Sequence, residues 1–219
     1  ATNASPIGSV VFNELLYNAS LPKAEFVELL NKSASTAFDL SDWRINGLDY
    51  RFPSGTVLAP GGFLVLSEDR FSFARSLGAS VPLFDEFDGE LDDDGETLTL
   101  LMPGAPPGEE IVVDRIRYEV EPPWGSEMGK SLQLVDAAID NSRAGNWELG
   151  PEWKYVSFTG TVSSSSRLQV YLNGVGDVFI DDIKLVQGTA AEAGTNLARK
   201  GDFGAPLAGT LTLPSGEPQ

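Results

Sequence analysis

Short apolar runs separated by turn-forming residues recur along most of the chain. The first run, Val10–Tyr17, is rich in branched and aromatic residues, and a turn-rich spacer separates it from a second run, Glu25–Asn31. In the second run Phe26, Leu29 and Leu30 would also lie on one face of a helix, so periodicity alone leaves helix and strand open. Short apolar runs bounded by turn signals favour strands, however. We therefore predict a β-hairpin from these two runs.

Further short strands and one helix are predicted downstream of the hairpin. The helix is expected at Phe71–Leu77, preceded by Ser67-Glu68-Asp69, which can supply a capping side chain. An Asn46-Gly47 pair is typical of a type I′ turn between two strands. The strands are expected at residues 39–45, 50–52, 63–66, 97–101, 109–120 and 131–136. The side chains expected to share one core are Phe12, Phe26, Trp43, Phe63 and Leu98.

Several motifs before residue 150 resemble one known family. Asn13-Glu14-Leu15, Glu25–Asn31, Asp39–Trp43 and Phe52–Leu66 follow one another in an order that resembles the lamin tail domain. The resemblance extends over about residues 7–150. It implies an all-β fold in which residues 1–150 form an immunoglobulin-like antiparallel β-sandwich. Because one fold hosts many functions, the function has to be argued from a site.

The composition changes after residue 150, and residues 151–219 are predicted to form a second, β-rich segment. Val178–Leu185 and Asn196–Phe203 resemble the closing and opening segments of jelly-roll modules grouped with carbohydrate-binding modules, but in inverted order. A jelly roll needs about eight strands, and this segment supplies about four. An isolated half-sandwich would expose its inner face and its edges. We therefore expect these strands to pack on the first domain; a strand-exchanged dimer, or completion by the rest of a longer protein, is the alternative.

The formal net charge of −17 restricts the class of partner. Nucleic-acid binding requires a basic stripe, and no run of Lys and Arg in the sequence is longer than Arg199-Lys200. No apolar run reaches the roughly 18 residues that cross a membrane. We therefore predict no nucleic-acid partner and no membrane insertion. The acidic composition is compatible with an exported protein, and the expected location is secreted or on the surface of a bacterial cell.

The sequence contains no histidine and no cysteine. A Ser-His-Asp triad, a thiolate nucleophile, a disulfide framework and imidazole ligands for zinc are therefore excluded within this chain. Carboxylates alone can still catalyse hydrolysis, and Glu14, Glu25 and Glu28 are the only compact acidic set for that chemistry. The alternative, which we expect, is a solvated strand face or side chains hydrogen-bonded to turn backbone.

Residues 85–96 hold eight acidic residues and no basic one, which suggests a calcium site. Aligning Gly95 with the invariant glycine of an EF-hand loop places Asp92 and Asp94 at the third and fifth ligand positions. The bidentate glutamate of that loop would then fall on Leu101, which cannot bind a metal. We therefore expect an acidic turn that leads into the next strand, with calcium binding at Asp92 and Asp94 as the alternative.

A structural calcium ion is also implied by the jelly-roll resemblance of the C-terminal segment. The positions that match the ligands of such modules are Asp182 and Asp202. The segment departs from the family pattern at Lys200 and Gly204, which stand where asparagine and glutamate are usual. Lys200 can therefore pair with Asp182 and leave no need for a metal. Both outcomes remain open at this point.

Three functions are compatible with the sequence. The predicted one is a non-catalytic interaction or anchoring module of a larger exported bacterial protein, with a protein or a polysaccharide as partner. The second is carbohydrate binding by stacking of sugars on exposed aromatic rings, and the third is the carboxylate-based hydrolase. Each ring is also a candidate for the core. The rings considered for stacking are Trp124, Trp147, Trp153 and Tyr171.

Overall fold

The two apolar runs at the start of the chain form the predicted hairpin. In the computed structural model, strand β1 (Val10–Leu16) pairs antiparallel with β2 (Phe26–Asn31). The register shifts between Phe12 and Glu14, so β1 contains a β-bulge at Asn13. A bulge bends its strand and leaves one residue out of the hydrogen-bond ladder. The Asn-Glu motif of the sequence therefore marks an irregularity in the strand that begins the fold.

The remaining strands are short, as the spacing of turn residues predicts. The helix α1 (Arg70–Leu77) begins after Asp69, whose Oδ1 accepts the Ser72 N–H at 2.8 Å, so the predicted cap is confirmed. The other strands are β3 (Phe38–Asp39), β4 (Arg44–Asn46), β5 (Tyr50–Arg51), β6 (Val57–Leu58), β7 (Phe63–Ser67), β8 (Asp85–Glu86), β9 (Thr97–Pro103), β10 (Glu110–Arg117), β11 (Leu132–Leu134) and β12 (Trp147–Leu149).

The structure describes residues 4–106, 108–150, 155–161, 180, 183–190 and 193–198. It divides the chain into two compact units, Ala1–Tyr155 and Val156–Gln219, and the strands named above all lie in the first unit. Most of the jelly-roll-like segment predicted for residues 151–219 lies outside the described residues. Its packing on the first domain, or its exchange between two chains, stays a prediction.

Two sheets enclose the core. The larger sheet has six strands in the order β12-β11-β1-β2-β7-β8, the smaller has four in the order β10-β9-β4-β5, and β3 pairs separately with β6. The inward faces of both main sheets contribute to one apolar cluster, which confirms the immunoglobulin-like β-sandwich. One pair, β7 with β8, is parallel and departs from the predicted antiparallel arrangement. The reason is that α1 connects these two strands, and a helical crossover returns the chain in the same direction.

The predicted shared core is correct for three of its five members. Phe12, Trp43 and Leu98 lie in the main cluster. Phe26 belongs instead to a second cluster beneath α1, and Phe63 is 59% exposed, so the prediction is wrong for both. Because strand residues alternate between the two faces, Val27 and Leu29 point inward and Phe26 points outward. Phe63 also belongs to the outward face, at the end of β7 that is farther from α1 along the chain.

A turn divides the strand that was predicted at residues 39–45. Asp42 adopts a left-handed conformation with φ of 64°, and the Trp43 N–H donates a hydrogen bond to the Leu40 carbonyl oxygen at 3.0 Å. The chain therefore leaves the β3–β6 pair and enters the smaller sheet at Arg44. The connection from β4 to β5 spans residues 47–49 and is one residue longer than the predicted two-residue turn.

We predict that Trp43→Ala destabilises the first unit by roughly 3–5 kcal/mol, because the indole is only 6% exposed and its removal leaves a cavity. Phe63→Ala is the matched control, since it deletes an aromatic ring that is mostly in contact with solvent. Urea unfolding followed by tryptophan fluorescence and far-UV circular dichroism measures both variants. Equal losses in the two variants would contradict the placement of Trp43 in the core.

Candidate functional site

Two carboxyl groups face each other on the outward side of the larger sheet. Glu14 on β1 is the cross-strand partner of Glu28 on β2. The Asn13 side-chain amide donates a hydrogen bond to Glu28 Oε1 at 2.8 Å, and Gln133 Nε2 donates one to Glu14 Oε1 at 3.0 Å. Burial raises the pKa of Glu28 to about 7, which the Asn13 hydrogen bond opposes and the Glu14 charge assists. Glu28 therefore titrates near neutral pH.

Glu25 lies in a separate acidic cavity. The cavity has a volume of about 440 Å³, and neither Glu14 nor Glu28 lines it. The Leu91 N–H donates a hydrogen bond to Glu25 Oε2 at 2.9 Å. Burial raises the pKa of Glu25 to about 7, and neighbouring carboxylates add to this effect. The residues that line the cavity are Glu25, Glu90, Leu91, Asp92, Asp93 and Glu96.

The hydrolase hypothesis required Glu14, Glu25 and Glu28 to line one deep pocket. The structure instead separates Glu25 from the other two, and amide donors bind both members of the Glu14–Glu28 pair. The three residues therefore do not form the acid and base of a shared site. The alternative interpretation, side chains hydrogen-bonded on a strand face or to turn backbone, describes what is found.

The predicted acidic turn is confirmed. The Asp94 N–H donates a hydrogen bond to Asp92 Oδ1 at 2.8 Å, and the Gly95 N–H donates one to the Asp92 carbonyl oxygen at 3.0 Å. Gly95 has a φ of 96°, and a Cβ at this position would lie 2.6 Å from the Tyr118 carbonyl oxygen, so only glycine fits. Among the described residues no group of three or more acidic side chains is placed to hold a metal ion. Calcium binding at Asp92 and Asp94 stays a prediction from the sequence.

The two tryptophans proposed for sugar stacking that the structure describes are core residues. Trp124 and Trp147 are 8% and 6% exposed, and their ring centroids lie 6.0 Å apart. Trp147 Nε1 also donates a hydrogen bond to the Asn141 carbonyl oxygen at 2.7 Å. Neither ring presents a face to solvent, so the stacking prediction is wrong for these two. Packing of the two rings in the core removes a large apolar area from contact with water, which favours burial over exposure.

Four of the predicted site residues lie outside the described residues. These are the aromatic residues Trp153 and Tyr171 and the calcium ligands Asp182 and Asp202. Carbohydrate binding and structural calcium binding by the C-terminal segment therefore stay predictions that rest on the sequence.

The outward side of the smaller sheet carries four arginines. Their neighbours along the strands, among them Ile45, Tyr50 and Ile116, point into the core, so the arginines point outward by the alternation of strand residues. Arg44 lies opposite Arg51 on β5. We call this surface the arginine face; it consists of Arg44, Arg51, Arg115 and Arg117, with Asn46, Thr97, Thr99, Leu101 and Val112 between them.

Two of the four arginines are paired with carboxylates. Arg44 reaches across β9 and donates through both Nε and Nη2 to the two carboxylate oxygens of Glu110. This two-bond geometry fixes the guanidinium more firmly than a single contact does. Arg117 Nε lies 2.7 Å from Glu119 Oε1. Both ion pairs are partly open to solvent. They therefore orient the guanidinium groups but contribute little to the stability of the fold.

The other two arginines have no carboxylate partner among the described residues. Arg51 Nη1 donates to the Asp42 carbonyl oxygen at 2.9 Å, and Arg115 Nε donates to the Thr99 hydroxyl at 3.3 Å. Both side chains are exposed. Four arginines and two paired glutamates give the face a net charge of +2 (4 − 2). This is a positive surface within a chain of net charge −17.

The arginine face could not be predicted from runs of basic residues, because its four arginines are not adjacent along the chain. The face is assembled from β4, β5 and β10, which are distant in sequence. One local signal was present: Arg115 and Arg117 are two residues apart, which places them on the same side of a strand.

We predict that stability falls as the pH rises from about 4.5 to about 7. The folded protein retains protons on Glu28 and Glu25 in this range, whereas the unfolded chain has released them, so each rise in pH favours unfolding. Glu28→Gln keeps an oxygen that can accept the Asn13 hydrogen bond and removes one of these protons. The variant should lose less stability over this range, by on the order of 2 kcal/mol.

The measurement is urea unfolding of both proteins at a series of pH values. Glu148→Gln on β12, where the side chain is exposed, is the control for loss of one charge. A wild-type stability that stays flat or rises between these pH values would contradict the prediction, as would equal slopes for Glu28→Gln and the wild type.

Comparison with known families identifies the fold of the first unit. The family model for the lamin tail domain matches residues 3–119, which is more than half of the chain and includes strands β1 to β10. Comparison with curated proteins gives no match. No α-helix in the described part of the chain is long and apolar enough to cross a bilayer. With its immunoglobulin-like sandwich and its matching sequence, this chain belongs to the lamin tail domain family.

Proposed function

We propose that this chain is a non-catalytic interaction module of a larger exported bacterial protein, and that it binds an acidic protein segment through the arginine face. An immunoglobulin-like domain of the lamin tail family is consistent with an interaction role. The single observation that carries the proposal is the arginine face itself. It gathers four of the ten basic residues of positions 1–150 on one open sheet surface.

The placement of these arginines argues for a binding role. Basic residues that only keep a protein soluble can be scattered over its surface. Here they are concentrated on one face, while the rest of residues 1–150 carries the acidic excess. A sheet face is also a rigid platform, because every second residue of each strand points the same way. Arg51 and Arg115 form no ion pair in the described part of the chain, and the nearby charge of Arg51 helps to lower the pKa of Glu110, which Arg44 binds. Their guanidinium groups can therefore still donate to the carboxylate of a partner.

The chemistry of arginine favours carboxylates as the groups recognised. The planar guanidinium offers a fork of N–H donors that matches a carboxylate with two parallel hydrogen bonds. The floor between the arginines is formed mainly by Thr97, Thr99 and Leu101 of β9 and presents no aromatic ring. Stacking of sugars on an aromatic ring is therefore not available on this face, and an acidic peptide segment is the partner that we propose for it.

An exported location is part of the same proposal. The net charge of −17 and the absence of cysteine are compatible with a protein that works outside the cell. The resemblance of the C-terminal segment to jelly-roll modules supports a place within a multi-module protein.

We predict that the full chain binds a fluorescein-labelled oligoglutamate peptide, measured by fluorescence anisotropy. Arg51→Glu/Arg115→Glu should weaken this binding at least tenfold, because the two arginines without carboxylate partners become repulsive. Arg70→Glu/Arg75→Glu on α1 changes the net charge by the same amount and should leave the affinity within about twofold. Raising the salt concentration should weaken the wild-type binding.

Two outcomes would contradict the arginine face as the binding surface. One is the absence of any binding of the peptide by the wild type at low salt. The other is an equal loss in both double variants, which would show that the net charge alone controls the interaction.

Structural calcium binding at Asp182 and Asp202 is a further part of the proposal, and it rests on the resemblance to jelly-roll modules. Burying a lone aspartate is costly unless it is paired or bound to a metal, and calcium binds six to eight oxygen ligands. We expect calorimetric titration of the metal-stripped chain to give calcium-dependent heat and a raised melting temperature at millimolar calcium. Asp182→Asn/Asp202→Asn should lose both effects. A wild type without either effect would contradict the site.

A further inference from the structure

We propose that the acidic segment bound by the arginine face is the acidic turn of a second copy of this chain. The acidic turn is defined here as residues 90–96, and the inference rests on the function proposed above. It adds an identity for the partner: the chain carries both complementary surfaces and associates with itself.

The acidic turn is exposed and unpaired. Asp92, Asp93 and Asp94 are all exposed, and no carboxylate of the turn forms an ion pair with a Lys or Arg of the described residues. The segment that includes it, residues 85–96, contains eight acidic residues and no basic one. This is the densest run of negative charge in the sequence, so it is the part of the chain best suited to an arginine surface.

The fold fixes the acidic turn beside the arginine face of its own chain. Leu91 is buried in the main core, and the Tyr118 hydroxyl donates a hydrogen bond to the Asp92 carbonyl oxygen at 3.0 Å. The turn leads directly into β9, where Thr97 lies opposite Arg117. The two surfaces are therefore close in sequence and in space, yet no ion pair joins them within one chain. Their charges remain available to a neighbouring molecule.

The rigidity of the turn favours binding of this kind. Two backbone hydrogen bonds to Asp92 and the close approach of Gly95 to Tyr118 fix its shape. A preformed acidic turn loses little conformational entropy when it meets the equally rigid sheet face of a partner. A flexible acidic tail would lose more.

Net charge sets the conditions under which the association is expected. Two chains of charge −17 repel each other over long distances. At about 0.15 M salt the Debye length is about 8 Å, so this repulsion is screened, whereas charges in direct contact still attract each other. Self-association should therefore pass through a maximum at intermediate salt. Simple nonspecific aggregation of an acidic protein would instead increase steadily as salt rises.

The symmetry of the contact follows from the use of two different surfaces. The turn of one copy meets the sheet face of the next. Two copies can exchange this contact in both directions and close as a two-fold dimer, or the contact can continue from copy to copy into rings or open chains. In either case the average mass should rise with concentration above that of the monomer.

The test is a charge exchange in the full chain, measured by sedimentation velocity at about 0.15 M salt and up to about 1 mM protein. The wild type should reach a weight-average mass at least 1.5 times that of the monomer. One variant, Arg51→Glu/Arg115→Glu, reverses the face, and another, Asp93→Lys/Asp94→Lys, reverses the turn without removing the Asp92 contacts. Each variant alone should remain a monomer, and an equimolar mixture of the two should associate again.

The control Arg70→Glu/Arg75→Glu should associate like the wild type. A monomeric wild type at the highest concentration would overturn the inference, as would variants that associate alone or a mixture that stays monomeric. Circular dichroism spectra identical to the wild type show that the variants are folded. If the wild type stays monomeric while the oligoglutamate peptide still binds through the arginine face, the proposed function stands and the partner is another acidic protein. If the peptide also fails to bind, both fall.

Discussion

A buried hydrogen-bond network around Asp114 joins the two sheets of the sandwich. Both β1 and β10 contain a bulge, and the bulges lie against each other at one side of the core. Beside the bulge in β1, and beyond the residues that pair with β11, the Phe12 N–H donates to Asp114 Oδ2 at 2.8 Å. Asn141 Nδ2 donates to the same carboxylate oxygen at 2.7 Å and to the Phe12 carbonyl oxygen at 3.2 Å. The network extends through the Asn141 carbonyl oxygen to Trp147 of the closing strand β12.

This network explains why an ionisable residue is retained at a partly buried position. Burial raises the pKa of Asp114, and the hydrogen bonds from Phe12 and Asn141 oppose that effect by stabilising the charged form. Without this acceptor the Phe12 N–H would be buried and unsatisfied, which costs about 1–3 kcal/mol. No buried side-chain polar atom of the described residues lacks a hydrogen-bond partner either.

The sequence predicted what alternation and turn chemistry determine, and it failed where tertiary contacts decide. The opening hairpin, the cap at Asp69 and the acidic turn all follow from local rules, and all are present. Phe63 was misplaced because a phenylalanine in an apolar run looks the same whether its face meets the core or the solvent. Trp124 and Trp147 were ambiguous for the same reason. Asp114 and Asn141, which both bind the Phe12 backbone beside the β1 bulge, are 27 residues apart along the chain, and no local pattern connects them.

The arginine face depends on the same network that closes the sandwich. Asp114 anchors β10 to β1 immediately before Arg115, and the ladder with β9 then positions Arg115 and Arg117 at fixed intervals. The inward position of Asp114 therefore fixes the outward position of Arg115 and Arg117, because a shift of β10 by one residue would turn the arginines to the opposite face. Val113 is the extra residue of the bulge, and the pairing of β10 with β9 is regular again from Asp114 to Arg117. The position of the β10 arginines thus follows from the contact that joins the sheets: Asp114 holds β10 against β1, and the register of β10 turns Arg115 and Arg117 to the outward face.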